Sequence, residues 1–235
     1  MEIPPEYDTA YLVEESRRQH RIRFHRPSKW HLALILAAAL TISGSIWWFD
    51  RPSQSVSLPP NTCWGELTQA DYSILAGRSG KATPVNDGSI DYAIGDAPVE
   101  CGLMWSTQRI GGMLAVEINR GNGTGYDNAQ FEMTTRKAGT PHPVNFGPEI
   151  EGWYGDGNRS ATLLYLRCDY PGATDPNPVV AITVTGAIGL SAAPRAEVRQ
   201  AYADISLKIA KAIARRIPCK NNVPLPDKAP ILPPM

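Results

Sequence analysis

The chain has 235 residues, with 23 basic and 23 acidic side chains, 43% apolar residues, 21 prolines, 20 glycines and 4 cysteines. Zero net charge argues against a nucleic-acid binder, which carries a basic excess, and the apolar fraction is too high for a disordered chain. The length suits one domain with appendages.

The neutral total hides an uneven distribution. Residues 1–29 hold an acidic half, then six basic and no acidic side chains between residues 17 and 29. Residues 30–49, WHLALILAAALTISGSIWWF, hold no acidic or basic side chain apart from His31. Twenty residues at about 1.5 Å each span roughly 30 Å, the thickness of a bilayer's hydrocarbon core. Trp30 at one end and Trp47, Trp48 and Phe49 at the other form an interfacial belt. The sequence therefore predicts a transmembrane helix over 30–49 whose partner is the lipid bilayer. By the positive-inside rule, residues 1–29 form a cytoplasmic stub and everything after the span lies outside. A signal peptide cut near Ser43-Gly44-Ser45 is the rival reading, but 29 residues make a long leader and the apolar run continues past that site.

All four cysteines, Cys63, Cys101, Cys168 and Cys219, follow the span at intervals of 38, 67 and 51 residues. An even count confined to the translocated part reads as two disulfides. Zinc is disfavoured by the absence of close ligand pairs. Four cysteines allow three connectivities. Cys63–Cys101 with Cys168–Cys219 is the favoured one, because each bridge would brace one helix-containing segment.

Residues 50–62 read as a Pro/Ser-rich spacer, 63–219 as the extracellular disulfide-bonded domain, and 220–235 as a Pro-rich disordered tail. Thr68 with Asp71 predicts a short helix that stops at Gly77. Alternation follows in five places: Cys101-Leu103-Trp105, Leu114-Val116-Ile118, Phe131-Met133-Thr135, Leu164-Leu166-Cys168 and Val180-Ile182-Val184. Five or six strands with one wet face are expected. A helix over 194–217 carries one stripe, Val198, Tyr202, Ile205, Ile209, Ile213 and Ile217. The predicted fold class is α+β: a mostly antiparallel sheet covered by a long C-terminal helix, preceded by the single transmembrane helix.

Candidate chemistry is sparse. His142 is the only histidine after the span and lies in Thr140-Pro141-His142-Pro143, read as a proline-locked loop; no nucleophile elbow or nucleotide loop occurs. Asn122–Asn128 lacks the alternation of a calcium loop, and Asn122 and Asn158 head glycosylation sequons. The best cluster is residues 146–158, where Glu149, Glu151 and Asp156 accompany Trp153 and Tyr154 in a glycine-rich segment read as a loop. Acids for proton transfer and rings for stacking suit carbohydrate chemistry. No catalytic, cofactor or metal residue is assigned.

The basic stub and single span, Cys63-Trp64-x-x-Leu67-Thr68-x-x-Asp71, Tyr165-Leu166-Arg167-Cys168 before a strand, and the helix ending in Ile217-Pro218-Cys219 resemble a broad group of actinobacterial, Streptomyces-type envelope proteins. The resemblance covers about residues 30–219 and implies a membrane-anchored, two-disulfide ectodomain without established activity. It adds support for Cys168–Cys219. The expected function is a non-catalytic binding or structural module for an envelope protein or cell-wall component. The alternative is an envelope carbohydrate hydrolase using the 149–156 carboxylates. A sensor would need more cytoplasmic machinery than 29 residues provide.

Overall fold

Alternating apolar residues make strands when neighbouring strands bury the same alternate set, and the computed structural model carries this across eight strands. It describes residues 56–93, 95, 97–106, 112–121 and 124–233. The expected stub, the span over 30–49 and residues 50–55 lie outside the described residues. Among the described residues no helix is long and apolar enough to cross a membrane.

The strands are β1 (Val56–Ser57), β2 (Asn61–Thr62), β3 (Leu67–Thr68), β4 (Gly80–Asp87), β5 (Val99–Trp105), β6 (Gly112–Arg120), β7 (Pro141–Asn145), β8 (Ile150–Gly155), β9 (Arg159–Arg167) and β10 (Val179–Ala187). The main sheet runs in the order β1-β4-β5-β6-β10-β9-β8-β7, antiparallel except for β1 on β4, and β2 pairs β3 separately. Both margins carry proline: Pro84 in β4, which β1 covers only at Gly80 and Lys81, and Pro141 with Pro143 in β7. Proline offers no N–H to an incoming strand, so both margins resist edge-to-edge association.

Among the described residues the α-helices are α1 (Gln69–Tyr72), α2 (Tyr126–Thr135) and α3 (Arg195–Arg216). Helix α3 packs on β9 and β10. The six stripe residues from Val198 to Ile217 are all at most 2% exposed. They share one core with Cys101, Leu103, Val116, Ile118, Leu164, Leu166, Val180, Ile182 and Val184. The fold is therefore α+β, a large, mostly antiparallel sheet with a long C-terminal helix. Glu66, between β2 and β3, receives Arg215 and Arg216 at 2.9 Å each and pins the helix's last turn. At the α1 terminus the Asp71 carboxylate accepts the Thr68 N–H (2.6 Å) and hydroxyl (2.8 Å) and pairs with Lys208 (2.6 Å). Burial pushes the Asp71 carboxyl up, but Lys208 and Thr68 outweigh that and hold it below the ordinary carboxylate range.

Several expectations need correction. Residues 130–136 are not a strand. Helix α2 takes this segment because Ala129 and Met133, one turn apart, bury together, while Phe131 is 68% exposed. The α1 helix is a single α-turn followed by a 3-10 turn to Leu75, with Ala76 already extended. Part of the spacer, Val56–Ser57 and Asn61–Thr62, pairs as β1 and β2, tied down by the Tyr72 hydroxyl bonding the Pro59 carbonyl (2.5 Å). The proline-locked loop is strand β7, and the glycine-rich loop contains strand β8. The second sheet face is not simply wet. Ala129, Met133, Trp153, Ala161, Leu163, Tyr165, Val179 and Ala181 form a second core under α2.

The tail from 220 to 233 has no regular structure, as its prolines dictate, but it lies against the domain. Lys211 donates to the Asp227 carbonyl, and Gln200 donates to the Pro230 carbonyl and accepts the Leu232 N–H. Leu232 is 8% exposed.

Candidate functional site

The two disulfides are Cys63–Cys101 and Cys168–Cys219. The first joins the turn after β2 to β5; the second joins the residue after β9 to the third residue beyond α3. They close loops of 38 and 51 residues. Such bridges form and persist in oxidising spaces, which hints at an extracellular or otherwise oxidising compartment.

The three candidate carboxylates do not converge. Asp156, in the β8–β9 turn, accepts the Thr140 N–H (2.7 Å) and pairs with His142 Nε2 (3.1 Å). The His142 bond, then the Thr140 amide, hold its carboxyl below the ordinary range. His142 also stacks on Tyr154 at 5.3 Å between centroids, so this histidine is held between a ring and the carboxylate of the β8–β9 turn. Asn158, which heads a sequon, is exposed in that turn. Along the chain Asp156 is five residues, roughly 17 Å of strand, from Glu151.

Glu151 points to the α2 face. Its Oε1 accepts the Gly125 N–H at 2.6 Å and the Trp153 indole N–H at 2.9 Å. Gly125 precedes α2 with φ +92°, a conformation that suits glycine, and its amide belongs to the positive end of the helix. Glu151 thus fastens the start of α2 to the sheet. Trp153 is buried and meets Tyr126 edge-on at 5.8 Å. Of the calcium-like segment, Asn122 and Gly123 lie outside the described residues, and Tyr126–Asn128 open α2. Glu149 stands 4.0 Å from Arg167, whose guanidinium also donates to Asn177 at 2.9 Å.

Glu149 and Glu151 line one side of a cleft of about 460 Å³, with Arg167, Asp175, Asn177 and Tyr165 around it. Tyr165 also forms part of a second, smaller cavity of about 180 Å³ beneath α2. Cross-strand register explains the continuity. Asn119, Ala181, Tyr165 and Glu151 are successive partners across β6, β10, β9 and β8, so they share one row on one face. Sequence reasoning found Glu149 and Glu151 but missed this row, because the β8 register and α2's position were not visible in it. The signal available was the double apolar set of β9, where Leu163 and Tyr165 alternate with Leu164 and Leu166.

These features define a two-disulfide α+β domain with one sealed and one grooved sheet face. No protein-family model, curated protein or solved structure matches the chain.

Proposed function

We propose that the protein is a single-pass component of a bacterial cell envelope, anchored through residues 30–49 with its amino terminus in the cytoplasm. Its outer domain is a non-catalytic binding module that engages an envelope protein or cell-wall component through the grooved face. The resemblance to actinobacterial envelope ectodomains, the apolar run and the disulfides support the placement. The observation that carries the binding reading is the pair of adjoining cavities on the α2 face: Glu151 beside them is engaged by two N–H groups, and Asp156 is turned to His142. A photo-crosslinker at the exposed position Asn177, activated in intact cells and read with a membrane-impermeant tag, should trap a discrete adduct. The same group at Asp204, exposed on α3, should trap none. Equal adducts at both positions, or none at Asn177, overturns this reading.

One observation favours the hydrolase alternative: Glu149 and Glu151 line the same, larger cleft, as a carboxylate pair acting on one glycosidic bond would. Glu149→Gln with Glu151→Gln separates the two readings. Loss of a wall-sugar-releasing activity supports the hydrolase, and retained adduct formation at Asn177 without such activity supports the binding module.

A further inference from the structure

The α2 side of the sheet is covered only in part. Helix α2 buries Leu163, Tyr165 and Ala181 of β9 and β10. On β4, β5 and β6 the same side stays open: Val85 and Met104 are half-exposed and Ala115 is exposed. Cross-strand register makes these residues neighbours. Val85 pairs with Gly102, Gly102 pairs with Ala115, and Met104 stands two residues along β5 from Gly102. Glycine has no side chain and alanine a single methyl group, so Val85 and Met104 border a shallow apolar floor. Exposed apolar side chains grouped on one side of a sheet and edged by charge have the make-up of a contact surface.

The edge is acidic. Asp87 and Glu100 are direct cross-strand partners, and Glu100 in turn faces Glu117. Like charges so placed repel. The chain answers that repulsion at Glu117, which Arg136 meets at 2.8 Å and to which the Asn119 amide donates at 3.1 Å. Asp87 and Glu100 have no such relief. Both are exposed, and among the described residues neither carboxylate accepts a hydrogen bond or an ion pair. Lys81 lies on the same side of β4 but six residues from Asp87, roughly 20 Å of strand.

Complementarity names the occupant. A segment that brings Lys or Arg over Asp87 and Glu100, and an apolar side chain between Val85 and Met104, relieves the repulsion and covers the floor together. A polysaccharide offers no apolar side chain beside a cation. A second copy of this chain, laid face to face, would set both carboxylates against the single Lys81. Addition of a further strand at the margin is opposed by Pro84, so the contact is made through side chains.

We propose that the open side of β4, β5 and β6 docks a cationic, apolar segment of another envelope protein, with its basic side chains over Asp87 and Glu100. The proposal rests on the binding-module reading and names the partner's chemistry. A photo-crosslinker replaces Thr83, the exposed cross-strand partner of Met104, in the full chain in intact cells, and the trapped peptide is sequenced. That peptide should come from another protein and carry Lys or Arg beside apolar residues. Asp87→Lys turns a like-charge pair into an opposite one. It should lower the adduct about tenfold while raising the thermal unfolding midpoint of the purified chain, whereas a merely structural pair would move both readings the same way. An acidic or uncharged peptide, a second copy of this chain, a wall sugar, or an adduct indifferent to Asp87→Lys overturns the proposal. So does a lowered midpoint, which would mean that the repulsion is already countered within the chain. If Thr83 traps nothing while Asn177 still traps a discrete adduct, this docking surface fails and the binding module stands; if both positions are blank, both are overturned.

Discussion

The two faces of the sheet use the same strands to opposite ends. On the α3 face the apolar residues pack against one another. Ile118, Val180, Ile182, Val184, Leu164 and Leu166 are all fully buried, a helix of 22 residues lies over them, and a disulfide stands at either end of that arrangement. On the α2 face a helix of 10 residues covers only the β8–β10 side. Toward β4 the same face is open, with Val85 at 48% and Met104 at 51% exposure. There Asp87, Glu100 and Glu117 face one another across three strands, an arrangement that costs free energy unless countered, as Arg136 counters Glu117. The difference teaches that the sealed face supplies the stability and holds the backbone still, even with the Thr162 hydroxyl unpartnered within it, which leaves the other face free to carry cavities.

The largest effect should come from unfastening the sealed face. Replacing Cys168 and Cys219 together by serine releases a 51-residue loop between β9 and the end of α3. The chain-entropy relation gives a loss of about 4 kcal/mol, read from the urea midpoint of the full chain. A loss below about 1 kcal/mol would mean that the packed α3 stripe already restrains the unfolded ensemble, and the comparison would need to be redrawn.

A sharper test uses two neighbours in β9. Leu164 faces α3 and is 0% exposed; Leu163 faces α2 and is 1% exposed. Leu164→Ala should cost about 3–4 kcal/mol, because the surrounding side chains cannot close the void. Leu163→Ala should cost nearer 2 kcal/mol, since the existing cavity beside it lets the site relax and admits water. Equal losses by chemical denaturation would remove the distinction between the faces.

The sealed face was also the legible one. Its signals are local: the period of α3, the alternation of β5, β6, β9 and β10, and the cysteines at the ends of those elements. The grooved face depends on placement that local pattern does not carry. Phe131, Met133 and Thr135 alternate as a strand would, yet the segment is helical because Ala129 and Met133 have a sheet to bury against. Glu149 and Glu151 were visible as a pair. Their separation from Asp156 and the service of Glu151 to Gly125 follow from the β8 register, which is a long-range property. Thr183 and Tyr165 come to one cavity only through the pairing of β9 with β10, which local pattern does not carry.

A smaller effect distinguishes the sealed face by pH. Asp71 sits where α1 meets α3, and its folded pKa lies below its unfolded value. Its contribution is therefore fully present above the ordinary carboxylate range and disappears as pH falls through the lowered folded value. Asp71→Asn should cost about 1 kcal/mol at neutral pH, through the lost cap and the half-exposed Lys208 pair. The variant should also flatten the acid limb of the stability profile. An unchanged acid limb in thermal melts between pH 2 and about 5 would mean that other carboxylates govern it.

The smallest global effect should come from Gln200, although its local effect is large. Its amide holds the tail by two main-chain bonds, to Pro230 and Leu232, and the Lys211 bond to Asp227 is the next fastening along α3. Val223, Leu225 and Ala229 are only half-buried at the core's margin, and Gln200 holds the tail's far end beside Leu232, so releasing that end exposes few groups and leaves the α3 stripe packed on the sheet. Gln200→Ala should shift the global midpoint by under about 0.5 kcal/mol. Amide exchange at Leu232 should nonetheless quicken at least tenfold, because its N–H loses its acceptor. Unchanged exchange there would mean that side-chain packing, with no help from Gln200, holds the tail. A large global loss would mean that the tail is a structural part of the sealed face rather than a strap laid over it.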